Sequence, residues 1–423
     1  MSHAQPHTDR RLPTHPGQHT DRTVLISGAS IAGPALALWL HRYGFTPTVV
    51  ERAPELRTGG YKVDLRGDAI DICARMGVLD DVRARSTGMR GGSYVDDRGR
   101  TLAELPAEVF GGREGDDDEI MRGDLARIMY EKTHDRVEYV FGDSIAALDE
   151  DADGITVTFA SGAVRRFGLV VGADGMHSNT RRLVFGEERR FKRHLGAYIS
   201  IFSAPNDLAL DRWETYHALP GKLVCAYSSS GESDAKNFLV FRAPELAYDH
   251  RDTAGQRRLL VDAFEGDGWM VPRMLDNARA AEDFYFDALA LITMDRWSKG
   301  RVVLLGDAAH CTSPASGQGT GLALTGAYVL AGELAAAHGD HRAAFAAYER
   351  VMRPGIALNQ RFAERFAEEM TLSSPRKIAV RMWMLRILPH TPWKNFVAKK
   401  VREDIQKAAR AIPVKDYTAH LVA

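Results

Sequence analysis

Three short glycine-containing segments carry the residue types that could do chemistry. The first, Gly28-Ala29-Ser30-Ile31-Ala32-Gly33, separates an apolar, β-branched run at Thr23 to Ser27 from a stretch in which Leu36, Leu40 and Tyr43 recur at helical spacing. A glycine turn that opens a helix leaves unpaired backbone N–H groups at the positive end of the helix macrodipole, a ready site for a dinucleotide pyrophosphate. Gly28 permits the tight turn and Gly33 close helix–strand packing, while Ser30 stands where the GxGxxG pattern has its middle glycine. Glu51 closes the next apolar run, 23 residues after Gly28. A carboxylate there accepts hydrogen bonds from an adenosine ribose and disfavours a 2′-phosphate. Its plainer reading is a solvated strand-end acid.

The second segment follows Leu169-Val170-Val171 and reads Gly172-Ala173-Asp174-Gly175-Met176-His177-Ser178, with Arg181 and Arg182 beyond it. The third follows Val302 to Leu305: Gly306-Asp307-Ala308-Ala309-His310, then Pro314 and Gly317-Gln318-Gly319-Thr320. Asp307 could accept hydrogen bonds from polyol hydroxyls, and the glycines after Pro314 would aim amides at an electron-rich heterocycle.

These segments need elements to hold them. Strand, glycine turn, helix and the strand at Thr46 to Glu51 form a βαβ module, which predicts parallel pairing and a right-handed crossover. The two later apolar runs read as buried parallel strands. Ligands of open α/β sheets sit beyond the carboxyl ends of the strands, so the ends at 28, 172 and 306 should converge on one crevice. The fold class expected is α/β, with a Rossmann-type three-layer nucleotide domain assembled from residues 23–192 and 292–375 and a substrate-side segment near 60–120. Residues 193–291 alternate and carry Trp213, Tyr216, Tyr227, Phe238 and Phe241, which predicts an inserted, mostly antiparallel sheet domain over the substrate. A helical segment at 376–423 completes the chain. The acidic run Asp116 to Glu119 reads as a solvated loop.

Composition narrows the partners. With 55 basic and 56 acidic residues and a net charge of -1, no global field exists to hold nucleic acid. Cys73, Cys225 and Cys311 are too scattered for a disulfide framework, which fits a reducing cytoplasm. No metal-ligand spacing stands out, and the four histidines of the polar segment 1–22 (His3, His7, His15 and His19) read as part of a disordered tail. No window approaches the ~18 uncharged apolar residues that would span a bilayer. Between Arg376 and Arg410, however, ten basic residues face only Glu403 and Asp404, with Met382, Trp383, Leu385 and Ile387 interleaved. That pattern suits contact with a membrane surface or, more plainly, a helix packed across both domains.

Taken together, the three segments resemble the group A flavoprotein monooxygenases, the single-component aromatic hydroxylases that include p-hydroxybenzoate hydroxylase and the tetracycline- and polyketide-modifying enzymes. The likeness covers roughly residues 23 to 350. It implies FAD as cofactor, NADPH or NADH as reductant and O2 as co-substrate, with a C4a-hydroperoxide of the flavin hydroxylating an aromatic or polyketide-like small molecule such as an antibiotic or its precursor. It also implies roles. Gly28, Ser30, Ile31, Ala32 and Gly33 would hold the pyrophosphate, with Glu51 on the ribose and Arg52 beside it. Arg122 would contact the FAD, Asp174 and Gly175 the FAD and the nicotinamide cofactor, and Gly306 and Asp307 the ribityl and pyrophosphate region. Pro314, Gly317, Gln318, Gly319 and Thr320 would lie against the flavin ring. The chain departs from the family pattern at Gly321, where an Asn is common, and at Gly326, where an acid is usual. Tyr216 and His217 are candidates to deprotonate or orient a phenol; the alternative is that they are ordinary sheet residues. The same fold also serves Baeyer–Villiger insertion, double-bond reduction and flavin binding without catalysis.

Overall fold

A computed structural model describes residues 22–56, 59–107, 115–392 and 394–422. Residues 1–21 with their four histidines, Arg57 of the loop before Gly59, and Trp393 lie outside the described residues.

The β-branched run Thr23–Ser27 is the central strand of a six-stranded sheet. Across the sheet the order is Ser298–Lys299, Val302–Leu304, Leu169–Gly172, Thr23–Ser27, Thr46–Glu51 and Glu138–Phe141. The last five run parallel and only the edge strand Ser298–Lys299 is antiparallel. Burial on both faces explains why these strands are continuously apolar rather than alternating. On one face lie the helices Ala32–Arg42 and Gly319–Ala336; on the other, a meander of Ile145–Glu150, Ile155–Phe159 and Val164–Phe167 packs Ile155, Val157 and Phe159 on Leu25, Val50 and Val170. The nucleotide unit is therefore three-layered. Helix Gly319–Ala336 is buried along nearly its whole length, so its sequence shows no polar face.

A second, seven-stranded sheet has the order Tyr285–Ile292, Lys192–Pro205, Asp234–Arg242, Lys222–Ser228, Trp213–Leu219, Gly91–Val95 and Thr101–Pro106. All its pairs are antiparallel except Trp213–Leu219 with Gly91–Val95, so a segment from early in the chain completes a sheet built mainly from residues 192–292. Period-two alternation divides its side chains. Tyr198, Phe202, Val224, Leu239, Phe241 and Phe286 point to one face, sealed by helices Thr253–Phe264 and Val271–Ala280. Ile199, Ile201, Leu223, Val240 and Leu289 point to the other, in one apolar cluster with Ala315 of the third glycine segment and Met382 of helix Pro375–Ile387.

The acidic run departs from its expectation as a loop. Asp118–Met121 is a strand that pairs with Lys62–Leu65, and Glu119 is buried. Four consecutive acids read as solvated because local composition cannot reveal a buried cation supplied from 57 positions earlier.

Candidate functional site

The first glycine turn has the geometry of a nucleotide cradle. Gly28 sits at φ +112°, and a Cβ on it would lie 2.5 Å from the Ala173 carbonyl. A Cβ on Gly33 would lie 1.9 Å from the Gly28 carbonyl oxygen and 3.3 Å from Ile26. Both positions thus require glycine, one for its backbone angle and one for helix–strand contact. Ile31 is buried as the helix begins, and Ala32 lies 3.6 Å from where a Gly306 Cβ would be, which brings the first and third segments together. Glu51 accepts the Ala29 N–H at one carboxylate oxygen and the Ala53 N–H at the other, each at 2.9 Å. A carboxylate oxygen has two lone pairs, so Glu51 can still accept from a diol while fixing both loops. Arg52, next to it, is exposed.

Arg122 donates to the Ser30 hydroxyl at 3.0 Å, and its backbone N–H bonds the Tyr61 carbonyl at 3.0 Å. Gly123 lets the chain pass Gly59, whose carbonyl would be 2.6 Å from any Cβ there. The guanidinium is therefore held at the mouth of the turn by backbone contacts on both sides.

The third segment closes the crevice. Gly306, at φ +62°, turns the strand end into the short helix Asp307–His310. The Asp307 side chain remains accessible from the crevice although protein surrounds it. That surrounding pushes its carboxyl up, an effect opposed by the Arg122 charge. Asp307 Oδ1 lies 3.8 Å from where a Gly319 Cβ would be, and Asp64 Oδ2 lies 3.6 Å from the same point on Gly317, which is at φ +64°. Pro314–Ser316 form one 3₁₀ turn, capped by the Ser313 hydroxyl; Gln318 is buried, and Gly319 and Thr320 open the 18-residue helix. A helix N-terminus with glycine amides, a polyol-accepting acid and the Gly28–Gly33 turn share one crevice, which fits an elongated flavin dinucleotide. Of the two departures, Gly321 lies beside Ala69, while Gly326 is turned away from the crevice toward Leu305, Met352 and Tyr348.

Asp174 fixes the second glycine segment from within. Its carboxylate accepts from the Ser178 hydroxyl and from both the N–H and hydroxyl of Thr180 at 2.9 Å, with the Ser27 hydroxyl at 3.5 Å. It thereby braces the start of the helix Asn179–Phe185, whose N-cap is Ser178 with its hydroxyl accepting the Arg181 N–H. Gly175, at φ +80° with open space beside it, supplies the turn. Arg181, fully buried, bonds the Ala308 carbonyl at 2.9 Å and Glu188 at 2.9 Å, and so ties the second segment to the third.

His177 joins this segment to the second sheet. It donates from Nε2 to Asp287 at 3.0 Å and from Nδ1 to Glu188 at 2.9 Å, and stacks on His250 at 4.6 Å. Burial works against the imidazolium, but the two carboxylates prevail and hold its pKa up at about 9. A raised folded-state pKa contributes stability that is complete below about pH 6.5 and is lost as pH rises through about 9. Denaturant melts should show the wild type losing about 2–3 kcal/mol more than His177→Gln across that window. Equal losses in both proteins would refute the clamp.

Tyr216 and His217 are neighbours on one strand and so face opposite ways. His217 accepts no role in the crevice: it bonds the Val95 carbonyl at 3.1 Å and lies against Trp269, on the helix-covered face. The proton-transfer role suggested for it is thereby removed. Tyr216 lies on the crevice-side face and donates to Glu214 at 2.5 Å. Burial pushes its phenol well above the usual value, so it serves as a hydrogen-bond donor and not as a base.

Around Glu214 is a polar cluster that sequence reasoning missed. The Lys62 ammonium contacts Glu214 and lies 3.2 Å from Glu119; Tyr227 accepts the Lys62 N–H at 3.2 Å, and Thr87 donates to Glu119 at 2.6 Å. Tyr61, Phe238 and Tyr285 belong, with Tyr216, to the apolar cluster of the crevice-side sheet face. The one available signal was the alternation Lys62, Asp64, Arg66 against Val63 and Leu65, which normally marks a solvated face.

Comparison with known proteins agrees with this geometry. Residues 21–231 and 287–356 match the FAD binding domain family. A protein of Mycobacterium tuberculosis is 46% identical over 80% of this chain and 92% of its own. A flavin-dependent monooxygenase from an unknown prokaryotic organism is 43% identical over 84% and 92% respectively. The crystal structure of the tetracycline destructase Tet(55) aligns over 94% of this chain and 99% of that one, with TM-score 0.81 and 38% identity. The chain belongs to the group A FAD-dependent monooxygenases.

Proposed function

We propose that the protein uses FAD, NADPH or NADH, and O2 to hydroxylate a multi-ring phenol of the polyketide kind, with a tetracycline as the first compound to try. The observation that carries this is the crevice-side sheet face, where Tyr61, Tyr216, Phe238 and Tyr285 share one apolar cluster and Tyr216 donates to the carboxylate of Glu214. Aromatic walls suit a flat ring system, and one carboxylate with a tyrosine donor suits a phenolic or enolic hydroxyl. The likeness to Tet(55) supports the choice of scaffold.

FAD, when bound, supplies the oxygen chemistry that side chains lack. The chain supplies the rest. Gly28–Gly33, Glu51 and Arg122 orient the nucleotide half, while Asp307 and the amides from Gly317 to Thr320 orient the ring end. A substrate hydroxyl donates to the Tyr216 oxygen, and the proton that an electron-rich ring must lose passes through Tyr216, whose own O–H is on Glu214, to that carboxylate. The aromatic face excludes bulk water.

Oxygen uptake by FAD-loaded protein, measured with NADPH or NADH and a panel of tetracyclines and simpler polycyclic phenols, tests this. The expected result is substrate-stimulated uptake with a product heavier by one oxygen, borne as a ring hydroxyl. Flavin reduction without oxygenation of any compound would instead favour the double-bond reductases of this fold, and oxygen inserted into a C–C bond would favour Baeyer–Villiger chemistry.

A further inference from the structure

Helix Pro375–Ile387 has apolar side chains on two faces. Ile378, Met382 and Leu385 point inward and join the cluster on the crevice-side sheet face. Val380, Trp383, Met384 and Ile387 point outward and are 56%, 63%, 54% and 36% exposed. Their spacing, i, i+3, i+4 and i+7, is that of a single continuous row along a helix. The next helix, Lys394–Ala409, adds Phe396 and Val397, 70% and 37% exposed. These six make up most of the exposed large hydrophobics among the described residues. Single exposed apolar residues need no explanation, but a contiguous row that includes a tryptophan marks a contact surface.

Charge identifies what the surface fits. Arg376, Lys377 and Arg386 are exposed along the same helix, and helical geometry sets Arg381 and Arg386 on opposite edges of the apolar row. From 376 to 410 there are ten basic residues and two acidic ones, although the whole chain has net charge -1. Four of the ten, Arg376, Lys377, Arg381 and Arg386, lie on helix Pro375–Ile387, which carries no acidic residue. A second copy of this face would meet like charge, which disfavours symmetric self-association. Apolar side chains that insert shallowly, edged by long basic ones that reach anionic headgroups, are the pattern of an interfacial helix.

We propose that the outer face of Pro375–Ile387 docks the protein on an anionic lipid bilayer. The inner face stays packed on the substrate sheet, so docking sets the catalytic unit against the membrane without unfolding it. No helix among the described residues is long and apolar enough to cross a membrane, and the contact is peripheral.

Sedimentation of the full-length, FAD-loaded protein with vesicles tests this. Vesicles of phosphatidylcholine with one-third phosphatidylglycerol should pellet it, and pure phosphatidylcholine vesicles should not. Pelleting should weaken as salt rises from about 0.1 M to about 0.5 M, where the screening length falls to a few Å. Val380→Ser combined with Trp383→Ser should cut the partition coefficient by about ten-fold or more while keeping bound flavin, because both side chains face solvent. Failure to pellet with anionic vesicles would overturn the proposal, as would undiminished pelleting of a flavin-loaded variant. A dimer in solution that the same substitutions dissociate would also overturn it, in favour of self-association.

Discussion

A Gly33→Ala variant is expected to purify without flavin. The added methyl would sit 1.9 Å from the Gly28 carbonyl oxygen, a backbone atom that no rotamer change can move aside. Relief requires the helix Ala32–Arg42 to retreat from the strand Thr23–Ser27. Eight of the helix's eleven residues, Gly33 to Leu40, are buried, so retreat opens the core. Overpacking of this kind costs about 1–3 kcal/mol of stability. The functional loss is larger, because the same movement misaligns the amides that meet the pyrophosphate and parts Glu51 from Ala29. FAD affinity should fall by about 100-fold or more, the scale of losing two to three charge-assisted contacts. Gly268→Ala is the control: a Cβ there meets nothing closer than 4.0 Å, and its protein should stay yellow. Stoichiometric FAD in purified Gly33→Ala would show that the turn does not carry the cofactor.

Lys62→Met should be the most destabilising single change in the substrate region. Its ammonium is the cation between Glu119 and Glu214, whose side chains are only 4% and 7% exposed. Burial alone would lower the lysine, yet the two carboxylates outweigh it and leave its pKa raised. Removing one partner of a buried ion pair costs about 3–5 kcal/mol, because uncompensated charge remains in a poorly solvated place. Two carboxylates without their cation would both be pushed up, so the deficit should grow with rising pH and shrink as they protonate toward about pH 5. Urea melts of wild type and variant at several pH values measure this. Adding Glu119→Gln and Glu214→Gln to Lys62→Met should recover part of the loss. A penalty below about 1 kcal/mol, or one independent of pH, would mean that the cluster is solvated after all.

Much of the nucleotide site was legible in the residues because its physics is local. A glycine turn between a buried strand and a helix is written in consecutive positions, and the spacing to Glu51 measures one βαβ unit. The same reasoning placed Gly306, Asp307 and the Gly317 to Thr320 amides at a strand end and a helix start. It went astray where a side chain's meaning depends on a distant partner. Glu119 reads as solvated within its acidic run, but Lys62 makes it half of a buried ion pair.

The sequence by itself determined the α/β class and a dinucleotide crevice, because periodicity, glycine geometry and helix termini act over a few residues, and the likeness of the three segments to a known family added the flavin. Only the tertiary structure decided which residues face the crevice. Tyr216 and His217 differ by a single position, yet strand alternation sends one to the crevice side and the other beneath the covering helices. Lys62, Glu119 and Glu214 become one cluster only when two separate sheets meet. Which face a strand buries, and which charges then share a low-dielectric space, follows from long-range pairing that no local pattern encodes.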